Sequence, residues 1–205
     1  MEKKTSMIAT AMTISPEQFL DDERARPREA GKVELLFGTL YEMAGTSRIH
    51  SKIASNLHFE IRKVVSDDFS VNFGDLRVVN PLRNSYVYPD LVIYREPGEF
   101  SDQHFDTLLN PISVIEILSP GTEAKDRSLK FQFYRSIPSL QEYILVGQEK
   151  PLIEVYRRKA ENHWEVFIFD QLTDQIPLTQ PSMTLNLEAV YAKVKWDPSG
   201  AEDEQ

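Results

Sequence analysis

Between Thr46 and Val65 the apolar residues Ile49, Ile53, Leu57 and Ile61 recur at four-residue spacing, and Ala54 and Val64 widen the stripe. That period places them on one side of an amphipathic helix packed on a sheet. Elsewhere the apolar period shortens. Residues 33–37 and 39–43 flank Gly38 and read as two strands around a tight turn. Runs 71–79 and 86–94 read as two more strands, separated by Asn80-Pro81-Leu82-Arg83-Asn84, whose proline and asparagines suit a loop. Ile112 to Leu118 is short, almost wholly apolar and rich in β-branched residues, the pattern of a central strand. Ser119-Pro120-Gly121-Thr122 breaks that strand, helical spacing resumes from Lys125 to Ile137, and Pro138 follows. Residues 143–146, 152–156 and 164–169 read as strands, with a short helix over 187–193. Upstream, Ser15-Pro16-Glu17-Gln18 supplies an N-cap hydroxyl, a proline at the first helical position and a glutamine at the third, the start of another short helix.

This order predicts an α/β (α+β) fold with a central mixed β-sheet flanked by helices, parallel where the 125–137 helix crosses between strands. At 205 residues and 41% hydrophobic content, the chain can bury one sizeable core. Residues 13–195 are therefore assigned to a single domain, 1–12 to a disordered lead-in and 196–205 to an acidic flexible tail. Residues 95–110 form a long surface loop. With no cysteine, the chain has no disulfide framework, no Cys-based zinc site and no thiol nucleophile. No apolar run approaches the roughly 18 residues of a membrane span, and no signal-peptide core follows Met1-Glu2-Lys3-Lys4, so a cytoplasmic setting is expected.

Candidate chemistry begins with two acids in apolar company. An ionised carboxylate inside an apolar strand costs several kcal/mol unless a cation or donor compensates, and Glu116 stands among Ile112, Val114, Ile115, Ile117 and Leu118. Asp90 poses the same question at Tyr88-Pro89-Asp90-Leu91-Val92. On neighbouring strands, both acids would point into one cavity and suit a hard cation such as Mg²⁺. Taken singly, Asp90 also fits a turn cap, and Glu116 an ion pair with an arginine. The four histidines lack helical pairing, which argues against a zinc hydrolase.

The segments Glu34 to Gly38, Ser47-Arg48-Ile49-His50, Tyr88-Pro89-Asp90-Leu91-Val92, Val114 to Thr122, Asp126, Lys130, Tyr134 and Gln141 to Val146 together resemble the Uma2-type restriction-endonuclease-like proteins of the PD-(D/E)XK nuclease superfamily. The resemblance covers roughly residues 13 to 190 and implies a restriction-endonuclease-like core. It implies Asp90 and Glu116 as metal carboxylates, with the backbone carbonyl of Ile117 as a further ligand of Mg²⁺ or Mn²⁺. The superfamily's lysine stands two positions after its acid, on the same side of the strand. Leu118 occupies that position, and Lys130 is the expected substitute. Asp126, Lys130 and Tyr134 fall at four-residue steps, so Asp126 is expected to orient the lysine and Tyr134 to support it. Glu34 and His50 are lesser candidates, for an added acid and for a contact to water or phosphate.

The resemblance implies a Mg²⁺-dependent endonuclease acting on DNA, working as a homodimer where both strands are cut. A net charge of −9 opposes a polyanionic partner. The obvious basic surface is confined to Lys125, Arg127, Lys130 and Arg157-Arg158-Lys159. Two alternatives stay open: a degenerate nucleic-acid or protein interaction module on the same fold, suggested by Leu118, and an ordinary binding protein whose acids pair with arginines.

Overall fold

A computed structural model describes residues 14–43 and 45–196. The expected lead-in 1–12, and the expected tail except Trp196, lie outside the described residues. The chain forms α1 (Pro16–Ala25), β1 (Val33–Leu36), β2 (Thr39–Glu42), α2 (Arg48–Val64), β3 (Phe69–Phe73), β4 (Arg77–Asn80), β5 (Ser85–Val87), β6 (Leu91–Arg95), β7 (Thr107–Leu108) and β8 (Pro111–Leu118). A helical segment follows, built of α3 (Glu123–Lys125), a π-helical stretch (Asp126–Lys130) and α4 (Phe131–Tyr134). Then come β9 (Glu142–Gly147), β10 (Ile153–Ala160), β11 (His163–Phe169), β12 (Gln175–Thr179), β13 (Ser182–Asn186) and α5 (Leu187–Val190). Among the described residues no helix is long and apolar enough to cross a membrane.

Two sheets carry the architecture, in the orders β2-β1-β5-β4-β7 and β11-β10-β9-β8-β6-β3, beside the β12-β13 hairpin. The runs 71–79 and 86–94, expected as one strand each, are instead both cut and divided between the sheets. Gly74 takes a φ of +79° after β3, a conformation open to glycine at little cost. Pro89 has no N–H with which to continue a ladder. The chain thus leaves the six-stranded sheet after β3, makes the β4-β5 hairpin in the other sheet, and returns as β6 beside β3. The two corners are tied together, because Gly74 N–H donates to the Asp90 carbonyl at 3.0 Å.

One core lies where Ile53, Ala54, Leu57 and Ile61 of α2 meet Leu91, Ile93, Ile115 and Ile117 of the large sheet. All four helix residues are fully buried, as their spacing predicts, and truncating one of the isoleucines or the leucine to alanine costs about 2–5 kcal/mol. A second core lies between the sheets, where Leu36, Val78 and Val87 face Val92, Val114, Leu118 and Leu145 with Phe133 and Tyr134. Phe19 of α1 packs on the outer side of the small sheet with Val33 and Leu35. The start of α1 is capped as expected, Ser15 Oγ accepting from Gln18 N–H at 3.1 Å, and α2 is capped in the same way by Ser47 Oγ, which accepts from His50 N–H at 3.0 Å.

The crossover from β8 to β9 returns parallel, as expected, but its helix differs from the regular one predicted over 125–137. It contains an i to i+5 bond, Phe131 N–H to the Asp126 carbonyl, and helical geometry ends at Tyr134. The 95–110 loop also contains β7, which pairs parallel with β4. The β12-β13 hairpin has no counterpart among the expected strands.

Candidate active site

Alternation along β8 sends Ile115 and Ile117 into the α2 core and Val114, Glu116 and Leu118 into the space between the sheets. Glu116 is therefore 3% exposed. Its Oε1 accepts hydrogen bonds from Lys130 Nζ at 3.0 Å and from the Tyr134 hydroxyl at 2.8 Å. Both donors come from the helical segment that follows β8, Lys130 from its π stretch and Tyr134 from α4. The π stretch turns less per residue than an α-helix, which keeps the four-residue steps Asp126, Lys130 and Tyr134 on one side; such stretches are frequent at functional sites.

Alternation in β1 sends Glu34 the same way: Val33 and Leu35 face α1 while Leu36 faces the inter-sheet core. Glu34 is fully buried, and both its oxygens are engaged. Oε1 is 2.8 Å from Lys130 Nζ and accepts from Tyr88 N–H at 3.2 Å, while Oε2 accepts from Lys125 Nζ at 2.9 Å. Lys125 also sits 5.2 Å over the Tyr41 ring. Asp126, expected to orient Lys130, is 3.7 Å away, and its Oδ1 is buried without a hydrogen bond among the described residues. Glu34 is thus the nearer acid on the lysine.

Asp90 stands just before β6, next to β8 in the sheet. Its Oδ2 accepts from the Ile117 main-chain N–H at 2.7 Å and is 3.1 Å from His50 Nε2. His50 is buried in the first turn of α2, and its Nδ1 has no hydrogen-bond partner among the described residues. In an extended strand the N–H and carbonyl of one residue point to the same neighbour. The Ile117 carbonyl is therefore directed toward the Asp90 side, beyond the last β6-β8 pair, Leu91 with Ile115.

Electrostatics separate the acids. Burial pushes the Glu116 carboxyl well above its ordinary range; the Lys130 ammonium opposes this, and Asp126, Asp90 and Glu34 add to it. Asp126 is also raised, again chiefly by burial. Glu34, despite the same burial, is lowered because Lys130 and Lys125 both hold its charge. For Lys130, burial is outweighed by the surrounding carboxylates, so its ammonium is held well above the ordinary lysine range.

All the candidates named from sequence thus fall in one connected neighbourhood. The basic clusters do not present a free surface. Arg127 pairs with Glu123 and Glu154, Arg157 with Glu142, and Lys159 with Glu165, while Arg158 donates to the Leu140, Arg135 and Ile137 carbonyls. What sequence reasoning missed is the clamp of Lys125 on Glu34; the alternation of residues 33–36 was its available signal.

Among the described residues no three His, Asp or Glu side chains group as a cation cage. The donors at hand are two carboxylates and a carbonyl. Asp90 Oδ1 and Glu116 Oε2 accept no hydrogen bond among the described residues.

Residues 16–188 match the family model described as "Uma2: Putative restriction endonuclease". The chain belongs to the Uma2 family. Two relatives come from Synechocystis sp. (strain ATCC 27184 / PCC 6803 / Kazusa). The uncharacterized protein slr1290 is 30% identical over 179 residues, covering 87% of this chain and 91% of its own. The uncharacterized protein sll1609 is 29% identical over 159 residues, covering 77% and 88%. The Uma2 chain also shares its fold with a crystal structure of a putative nuclease belonging to DUF820 from Anabaena variabilis ATCC 29413. The TM-score is 0.70 at 20% identity, covering 87% of this chain and 98% of that one.

Proposed function

We propose that this Uma2 protein hydrolyses DNA phosphodiester bonds with a divalent cation, Mg²⁺ or Mn²⁺, held by Asp90, Glu116 and the Ile117 carbonyl. The observation that carries the reading is the convergence of two acids from neighbouring strands. Ile117 N–H fixes Asp90, Lys130 fixes Glu116, and one oxygen of each acid is left without a donor. A hard cation favours such an oxygen set. Once bound, it supplies charge to polarise the phosphate and to lower the pKa of an attacking water.

The chain's own groups do the rest. His50 and the Ile117 amide hold Asp90 from one side, and Tyr134 and Lys130 hold Glu116 from the other. Lys130 stays an ammonium and so acts as a fixed positive charge rather than as a base, offsetting charge that develops on the phosphate. Glu34 is a positioning residue that holds both Lys130 and Lys125. The reading takes the substrate as cytoplasmic DNA, and cutting both strands calls for two chains, each with one centre.

A second reading, a degenerate interaction module, is favoured by Leu118, which is buried in the inter-sheet core where the superfamily lysine would stand. The experiment is cleavage of supercoiled plasmid with Mg²⁺ or Mn²⁺, by wild type and by Asp90→Asn and Glu116→Gln variants with preserved melting. Nicking that EDTA stops, and that each variant loses by about 10³-fold, is the expected result. Saturable Mn²⁺ binding without cleavage selects the second reading, and absence of both sinks the metal site itself.

A further inference from the structure

Among the described residues the unpaired positive charge is not where the sequence concentrates it. Arg48, Lys52, Lys150, Lys193 and Lys195 make no ion pair among the described residues. They come from three distant parts of the sequence. Arg48 and Lys52 stand four residues apart at the start of α2, hence on one side of the helix. One turn on, Asn56 Nδ2 donates to the carbonyls of Val190 and Ala192, at 2.9 Å each, and so docks the segment after α5 against α2. Lys193 of that segment and Lys52 line the same cleft, with the exposed Phe59.

The β9-β10 turn joins them. Ser47 Oγ donates to Gln148 Oε1 at 3.1 Å, and Trp196 Nε1 donates to the Gln148 carbonyl at 2.7 Å. Lys150 and Lys195, both exposed, are therefore drawn to the start of α2. Arg48 shares the first turn of α2 with His50, whose Nε2 is 3.1 Å from Asp90 Oδ2, so the face begins at the end of the helix that borders the candidate centre. Opposing it are Glu149, in the same turn, Glu123, which shares a recess with Lys150 but is taken by Arg127, the exposed Glu188 of α5, and Glu60, which lines the cleft but is taken by Lys63 at 2.8 Å. Among the described residues the remaining cations without an ion pair are scattered: Arg62, Arg83, Arg95 and Arg135 stand apart from one another along the chain, and Arg158 is taken up by the Leu140, Arg135 and Ile137 carbonyls.

We propose that this face, from Arg48 through Lys52 and Lys150 to Lys193 and Lys195, tracks the phosphate backbone of DNA leading into the Asp90–Glu116 centre. The inference rests on the nuclease reading above. It resolves the conflict between a net charge of −9 and a polyanionic substrate, because binding strength follows the local number of phosphates neutralised rather than the total charge.

The test is fluorescence anisotropy of a labelled duplex with metal-free protein in EDTA across a salt series, which needs no turnover. Lys52→Gln/Lys193→Gln/Lys195→Gln should reduce the slope of log affinity against log salt by roughly 2–3, about 0.9 per lost phosphate contact. Lys159→Gln, on the far edge strand β11's partner, should leave the slope unchanged. If the triple variant melts early, Lys150→Gln/Lys195→Gln repeats the measurement, with an expected drop of roughly 2. An unchanged slope in a folded variant, alongside plasmid cleavage by wild type, overturns the face and leaves the nuclease reading standing. A wild type that neither cleaves nor binds overturns both.

Discussion

On one side of Tyr88, Arg77 donates to Thr107 at 3.0 Å and to the Tyr88 hydroxyl at 2.9 Å and pairs with Asp106, while Arg24 pairs with Asp102 and Asp106. On the other side, Lys130 is held by Glu34 and Glu116. The first cluster is balanced. Arg24, Arg26 and Arg77 face Glu23, Asp102 and Asp106. Its charges reinforce one another: burial opposes the Asp106 charge, yet hydrogen bonds from Arg24, Arg77 and Thr107 hold that carboxyl well below its ordinary range. The second cluster has acid in excess, since Lys125 and Lys130 face Glu34, Glu116 and Asp126, with Asp90 alongside. There the same burial wins at Glu116 and Asp126. A saturated ionic network ties elements together, whereas one short of positive charge is suited to receive a cation.

The sharpest way to break this comparison is to disturb each cluster in turn and measure stability by urea unfolding. Arg77→Met takes a buried guanidinium from the Tyr88 hydroxyl and Thr107 and one of two arginines from Asp106, which keeps Arg24, and should cost about 1–3 kcal/mol. Glu116→Gln should leave the unfolding midpoint at neutral pH unchanged or higher. Its folded pKa lies above the unfolded value, so the stability linked to that proton is full at low pH and lost as pH rises through the folded value; glutamine removes the loss. A larger cost for Glu116→Gln than for Arg77→Met would invert the assignment of roles.

Next in size, Lys130→Met should lower the single-turnover rate of plasmid cleavage by about 10²–10³-fold while calorimetry finds metal affinity retained. Unchanged turnover would remove Lys130 from the chemistry. The smallest effect concerns acid. Because the folded pKa of Asp106 is depressed, its contribution is present above the ordinary carboxylate range and disappears as pH falls toward the folded value. Asp106→Asn should therefore lose less stability than wild type between pH 7 and pH 3, read from the two urea midpoints. Equal losses would show that the Arg24–Asp106 pair does not govern the acid limb.

Local patterns carried much of the fold. The stripe Ile53, Ala54, Leu57 and Ile61 placed α2, and Ser15 and Ser47 cap their helices in the way short polar side chains do. The strand breaks at Gly74 and Pro89 were harder to read. Apolar residues continue on both sides of each, and period alone does not say that consecutive halves enter different sheets. The β12-β13 hairpin did carry a signal, the buried Ile176 and Leu178 alternating with exposed neighbours, but Pro177 between them lowers strand propensity. At the site, the unusual acids Asp90 and Glu116 stood out because a charge in an apolar strand demands a partner. The partner of Glu34 did not, since Lys125 lies far along the chain and in sequence looks like one member of a basic cluster.

The sequence by itself determined which residues are chemically out of place, and with them the family resemblance: two acids in apolar strands, and a lysine on the helix that follows the second. The tertiary structure alone decided what each charge faces. It paired Arg127, Arg157 and Lys159 with acids and gathered Arg48, Lys52, Lys150, Lys193 and Lys195 on one face, and it left Glu116 and Asp126 short of positive charge. The physical reason is range. Periodicity and burial cost act within a few neighbouring residues, whereas Coulomb interactions and hydrogen bonds depend on distances through space, which exist only once the strands and helices have packed.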